Sequence, residues 1–192
     1  MRVRDPARVQ RIIETAADLF GEFGYNDVRM EDIATRAGVA KGTLYLYYKD
    51  KDDLFLALIL DRMTRLFEQA QARALRAKQP EEKLLVVVQE VFDYFRSYPH
   101  IFAAIQRLDN VGSAGQMEAL RGSRNRFLNL TSGIIKDLNA TGRGAAKDPD
   151  MAAVILCGMM RELLFAPPPS GEDFPEQIVD MFLHGVAKAS TR

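Results

Sequence analysis

Residues Ala37 to Phe55 read AGVAKGTLYLYYKDKDDLF, crowding Lys41, Gly42, Thr43, Tyr45, Tyr47 and Lys51 into one short span. Ammonium groups and tyrosine and threonine hydroxyls reach phosphate oxygens, and a glycine lets the backbone approach closely, so the chemistry this set suits is contact with a nucleic acid. Lys51 adds a positive charge beside helix-end amides, a further feature that favours phosphate. Catalytic sets are scarce by comparison. The chain has two histidines, His100 and His184, and one cysteine, Cys157. Cys157 lies in the apolar run MAAVILCGMM, where it reads as a small buried hydrophobe, and no histidine lies near it in sequence. A lone cysteine also excludes an internal disulfide or a multi-cysteine zinc site. No enzyme, cofactor or metal site is expected.

The outward set needs a scaffold, and the same stretch supplies one. Ala34 is small enough for two helices to cross, Gly38 tolerates the positive φ that ends the first of them, and Ile33, Val39 and Leu44 provide apolar positions. Leu44 and Tyr48 are four apart on the second helix and share a face. With Leu44 inward, Tyr48 is inward too, and Tyr45 and Tyr47 are left to the surface.

Several elements here occur in a recognisable order. LF-x-x-x-GY, I-A-x-x-A-G-V, G-T-L-Y-x-Y-Y and K-x-x-L, running through residues 8–56, resemble the N-terminal domain of the TetR family of bacterial transcriptional regulators. The resemblance implies a helix-turn-helix homodimer on double-stranded operator DNA, commonly a repressor released by a small-molecule effector. It implies DNA contacts at Thr43, Tyr45, Tyr47 and Lys51, with Lys41 and Gly42 at the base-reading end. The family's usual hydroxyl before the second helix is replaced by Val28 and Arg29. Arg29 cannot cap a helix through its side chain but binds phosphate through its charge, and Asp27 is expected to take part of the capping role. Arg2, Arg4, Arg8 and Arg11 are candidates for a basic arm on the DNA backbone; the alternative is a solvated tail.

The remaining chain is patterned at helical period with almost no strand-like alternation. An all-α fold of about nine helices is predicted: an N-terminal three-helix helix-turn-helix domain, residues 1–50, and a C-terminal helical bundle, residues 51–192, for ligand binding and dimerisation. The fourth helix runs from Lys51 toward Lys78 and joins the two parts, which makes it the natural element to transmit control. Others are expected over Glu81–Ser97, near His100–Asp109, and over Gln116–Asn139, Met151–Phe165 and Pro175–Ala189. Met151 to Met160 is apolar almost all round and must be covered on most sides. Met151, Ile155 and Gly158, with Ile178, Met181 and Phe182 of the last helix, are the candidate dimer interface; the alternative is that both helices complete the monomer core. Candidate pocket residues are Tyr94, Phe95, Phe102, Phe127, Met159 and Phe165, with Arg107, Asn125 and Asn129 as polar ends. The methionines and phenylalanines suit a hydrophobic ligand.

Composition sets outer bounds. The 192 residues carry 26 Lys+Arg against 26 Asp+Glu, so no bulk basic charge points to DNA and any basic surface must be local. No apolar run approaches the roughly 20 residues of a membrane span, and the N-terminus lacks a signal-peptide pattern, so a cytoplasmic protein is expected. The competing function is an α-helical small-molecule or protein-binding module without DNA activity.

Overall fold

The computed structural model describes residues 5–98, 105, 114–165 and 174–186. Among them all regular structure is helical. Helix α1 spans Pro6–Phe23, α2 Met30–Arg36, α3 Lys41–Tyr47, α4 Lys51–Ala74, α5 Pro80–Ser97, α6 Ala114–Ala140, α7 Pro149–Phe165 and α8 Phe174–Met181; a π-helical turn, Phe182–Val186, follows α8. The helix expected near His100–Asp109 lies outside the described residues, as do Arg2, Arg4, Phe102 and Arg107. Helix α4 ends at Ala74, short of the expected Lys78. Gln79 is extended (φ −103°, ψ 143°) ahead of Pro80, as a pre-proline residue prefers, and the chain must leave the helix before reaching it.

The first three helices are delimited by their own side chains and glycines. Asp5 caps α1, accepting from Ala7 N at 3.1 Å, with Pro6 in the first turn. Gly24 stops α1 at φ 83°. Gly38, at φ 64°, closes α2 in a Schellman arrangement: its N–H donates to Thr35 O at 3.1 Å, and Val39 N donates to Ala34 O at 2.9 Å. That closure turns the chain sharply into α3, and Ala34 and Leu44 meet in the core behind the turn.

The start of α2 differs from expectation. Arg29 is the N-cap residue, but the carboxylate that serves the cap is Asp32, three residues on, which accepts from Arg29 N at 2.9 Å. Asp27 does not fill the role: from N3 Asp32 reaches back to the orphan amide, the reciprocal half of a capping box. Such a cap contributes about 1 kcal/mol and leaves the Arg29 guanidinium free of capping duty.

Helix α4 links the two halves of the chain. Asp50 and Asp53 cap it reciprocally: Asp53 N donates to Asp50 at 2.7 Å, and Lys49 N donates to Asp53 at 3.1 Å. On one side it packs against α1 through a three-ring cluster of Phe20, Tyr25 and Phe55, with Phe20 and Phe55 edge-on at 5.2 Å. On the other it packs against α5 and α6, and α6 packs on α7. Adjacent residues tie it both ways: Arg65 pairs with Glu14 of α1 at 3.9 Å, and Thr64 accepts from Arg126 of α6 at 2.8 Å.

Candidate DNA-reading face and effector pocket

Helix α3 divides as its spacing requires. Leu44 is fully buried and Tyr48 nearly so, while Lys41 and Gly42 are exposed. Tyr45 is 42% exposed and Leu46, absent from the expected contact set, is 78% exposed. Thr43 and Tyr47 are half-buried. Tyr47 packs partly on the core beside Tyr48, the extended residue that ends α3, with ring centroids 6.5 Å apart, so it is less open than expected.

Lys41 is not idle in this face. Its ammonium pairs with Glu31 of α2 at 2.5 Å and lies 5.9 Å from the Tyr45 ring centroid. The hydrogen bond to Glu31 raises the lysine pKa above its ordinary value, and the same bond, from the other side, lowers that of Glu31. Both groups therefore stay charged across a wider pH range than either would alone.

Lys51 is placed differently from expectation. Its ammonium is directed back into the protein, donating to the carbonyls of Tyr25 at 2.8 Å, Val28 at 2.9 Å and Asn26 at 3.3 Å. It also stands 4.4 Å from the Tyr25 ring centroid, and the Tyr25 hydroxyl donates to the neighbouring Asp52. An ammonium has three donors, and here three carbonyls take them. The loop between α1 and α2 leaves those carbonyls without helical partners, and Lys51, at the first turn of α4, is the cation within reach. Its role in the free protein is to position this loop.

Behind this domain, helices α4 to α7 and Ile105 line a half-open cavity of about 540 Å³. Met63 and Phe67 contribute from α4, Val91 and Phe95 from α5. Helix α6 adds Met117, Leu120, Arg121, Ser123, Arg124 and Phe127; α7 adds Cys157, Met160, Arg161 and Leu164. The last four are spaced i, i+3, i+4, i+7, one face of a helix. Of the expected lining, Phe95 and Phe127 take part. Met159 does not; its neighbour Met160 does, because the inward face of α7 runs through 157 and 160. Tyr94 also lies off the cavity wall. Its hydroxyl is buried without a partner, and burial pushes its pKa up to about 12. Three guanidinium-bearing residues, Arg121, Arg124 and Arg161, are exposed at the cavity edge, whereas Met63, Leu120, Phe127 and Met160 are buried inside it. None of these arginines was anticipated, since an arginine on a half-polar helix reads as solvated surface.

The outer face of α7 carries Met151, Val154 and Ile155, all exposed, with Gly158 alongside, and Met181 of α8 is 64% exposed. Ile178 and Phe182 are not available to a partner: Ile178 is nearly and Phe182 fully buried in the chain's own core. They sit four apart, Ile178 on α8, which packs against α5, and Phe182 in the π turn that follows, whereas Met181 is exposed.

Two family descriptions together cover most of the chain. Residues 12–58 match the bacterial regulatory proteins of the tetR family, and residues 77–187 match the tetracyclin repressor-like C-terminal domain. The chain belongs to the TetR family. As a TetR-family protein it is a DNA-binding transcriptional regulator that responds to a small molecule and acts as a dimer; it is not an enzyme. It is 30% identical over 142 residues to the fatty acid metabolism regulator protein of Bacillus subtilis, covering 71% of this chain and 70% of that protein. It is 28% identical over 194 residues to the transcriptional repressor BepR of Brucella suis, covering 95% and 88%. In fold it resembles the regulator FadR of B. subtilis solved in complex with stearoyl-CoA (TM-score 0.74, 23% identity, 92% of this chain and 98% of that one). FadR from Bacillus halodurans is similar at a TM-score of 0.75 and 22% identity, covering 92% and 98%. No helix among the described residues of this TetR-family chain is long and apolar enough to cross a membrane.

Proposed function

We propose that this protein is a cytoplasmic repressor whose grip on its operator is released by a fatty acyl-CoA. Residues 1–50 read DNA, and residues 51–192 bind the effector and dimerise. Lys41, Gly42, Thr43 and Tyr45 enter the major groove with α3, Tyr47 and Arg29 contact the backbone, and Leu46 is placed to meet a thymine methyl. The observation that carries the effector class is the cavity itself: a buried apolar interior with three arginines at its edge suits a long hydrocarbon chain joined to a phosphate-bearing head. The fatty-acid role of the Bacillus relative and the stearoyl-CoA in the FadR complex point the same way.

The test is a gel shift on sites selected from random DNA. The selected sites are expected to be palindromic, with half-sites about one helical turn apart or somewhat more. Tyr45→Ala is expected to weaken binding by roughly tenfold, within the range of one lost groove contact, with the circular dichroism spectrum unchanged. Palmitoyl-CoA at micromolar concentration is expected to release the wild-type complex, whereas free coenzyme A is not. Release by neither, or equal release by both, would reject the acyl-CoA reading.

Glu31 introduces a negative charge beside a surface that must approach phosphates. Its pairing with Lys41 holds that lysine in place but reduces its attraction for random DNA. Glu31→Gln is expected to raise affinity for non-specific DNA several-fold and to steepen the salt dependence by about one phosphate equivalent. An unchanged salt slope would mean that Lys41 does not meet a phosphate once released.

A further inference from the structure

Three polar side chains are buried among the described residues: Ser123, Thr131 and Ser132. All three lie on α6, and two are satisfied within the protein. Thr131 donates to the Phe127 carbonyl one turn back at 3.0 Å, and Ser132 donates to the Asp150 carboxylate. Ser123, only 4% exposed, has no hydrogen-bond partner, and it lines the cavity. A buried hydroxyl without a partner is costly, and a helical serine usually avoids the cost by donating to the carbonyl one turn earlier, as Thr131 does. Ser123 stays unpaired while facing the space that an effector would fill.

Its position on α6 gives the hydroxyl a meaning. Leu120 and Phe127, one turn to either side, belong to the buried apolar lining, while Arg121 and Arg124 reach the exposed edge. Ser123 therefore marks the boundary between the zone for a hydrocarbon chain and the zone for an anionic head. In an acyl thioester the first polar group beyond the hydrocarbon chain is the carbonyl, an acceptor with no donor of its own, and the pantetheine arm continues from it toward the charged head.

We propose that Ser123 donates a hydrogen bond to the thioester carbonyl of the effector and so distinguishes acyl-CoA from other amphipathic anions. This rests on the acyl-CoA reading above and adds to it a residue that senses the acyl linkage. The chain length is read by the apolar wall, and the charge by the arginines. Ser123 reads the first polar atom after the hydrocarbon chain, where the acyl group joins the pantetheine arm. The unpaired hydroxyl is a standing cost that the correct ligand removes.

The experiment is isothermal titration of the full-length wild type and Ser123→Ala with three ligands: palmitoyl-CoA, the thioether S-hexadecyl-CoA, which lacks the carbonyl, and palmitate. Wild type is expected to prefer the thioester to the thioether by roughly tenfold, the value of one buried hydrogen bond. Ser123→Ala is expected to lose that preference by weakening the thioester alone, with the thioether affinity unchanged. Its ligand-free melting temperature is expected to equal or exceed that of wild type, which separates loss of recognition from loss of folding. Equal binding of thioester and thioether by wild type, or a preference that survives in Ser123→Ala, would overturn the role of Ser123. Tighter binding of palmitate than of palmitoyl-CoA would overturn it too, since the acceptor would then be a carboxylate. Failure of both coenzyme A compounds to bind wild type would instead reject the acyl-CoA reading on which the proposal stands.

Discussion

Ile155→Glu is expected to turn the dimer into a monomer and to cut operator affinity by roughly 10²- to 10⁴-fold, the advantage that linking two binding modules confers. Ile155 is 40% exposed in the apolar strip formed by Met151, Val154 and Ile155 on the outer face of α7, so a charged side chain there is tolerated by the isolated fold. A dimer joined through this face is expected not to tolerate it. A two-fold interface presents the same patch from both subunits, so one substitution buries two like charges near each other. Light scattering gives the mass, and a titration on a two-half-site operator gives the affinity. A variant that remains dimeric would move the interface off this face of α7. A monomer that bound as tightly as wild type would show that the half-sites are not read jointly.

Lys51→Met has the next largest expected effect, and the structure changes what that effect should look like. The substitution keeps an apolar side chain against the Tyr25 ring but leaves the carbonyls of Tyr25, Asn26 and Val28 without their donor. Uncovering them costs about 2 kcal/mol, which lowers the melting temperature by roughly 4–8 °C for a chain of this size. The loop they belong to sets the start of α2 and hence the aim of α3, so operator affinity falls as well. The salt dependence separates the two roles. A lysine that neutralises a phosphate lowers the slope by about one when removed, whereas a lysine that only positions the loop leaves the slope as it was. Stability lost at constant slope is the expected outcome, and a reduced slope at constant stability would restore Lys51 as a phosphate contact.

The difference between these lysines also marks where the sequence was legible. Leu44 and Tyr48 were readable as inward because four-residue spacing on a short helix leaves little choice, and Gly38 was readable because few residues accept its backbone geometry. Nothing in the spacing of Lys51 shows that a loop more than twenty positions earlier will offer it three carbonyls. The same holds for Asp32, whose role as a cap depends on where α2 begins. Helix α7 was readable as a segment needing cover on most sides, and the structure shows why: Ala152, Ala153 and Leu156 enter the core, Cys157 and Met160 face the cavity, and Met151, Val154 and Ile155 face outward. Which residue belongs to which side depends on the rotation of the helix about its axis. A one-residue error exchanges Met159 for Met160. On α8 the positions expected at the interface fall on two faces, so Met181 is exposed and Phe182 is not.

The 24 residues of α4 have a mechanical consequence. Met63, on the cavity wall, and Lys51, at the loop that aims α3, are twelve positions apart on one continuous rod, a separation of about 18 Å at 1.5 Å per residue. If the rod pivots near the cavity, a tilt of about 10° sweeps its far end through roughly 3 Å. In a symmetric pair the two sweeps add, giving a change of about 6 Å in the distance between the reading heads. A modest swelling of the cavity is thus geared up into a misfit with the pitch of the duplex, without any residue of the reading head changing its own conformation.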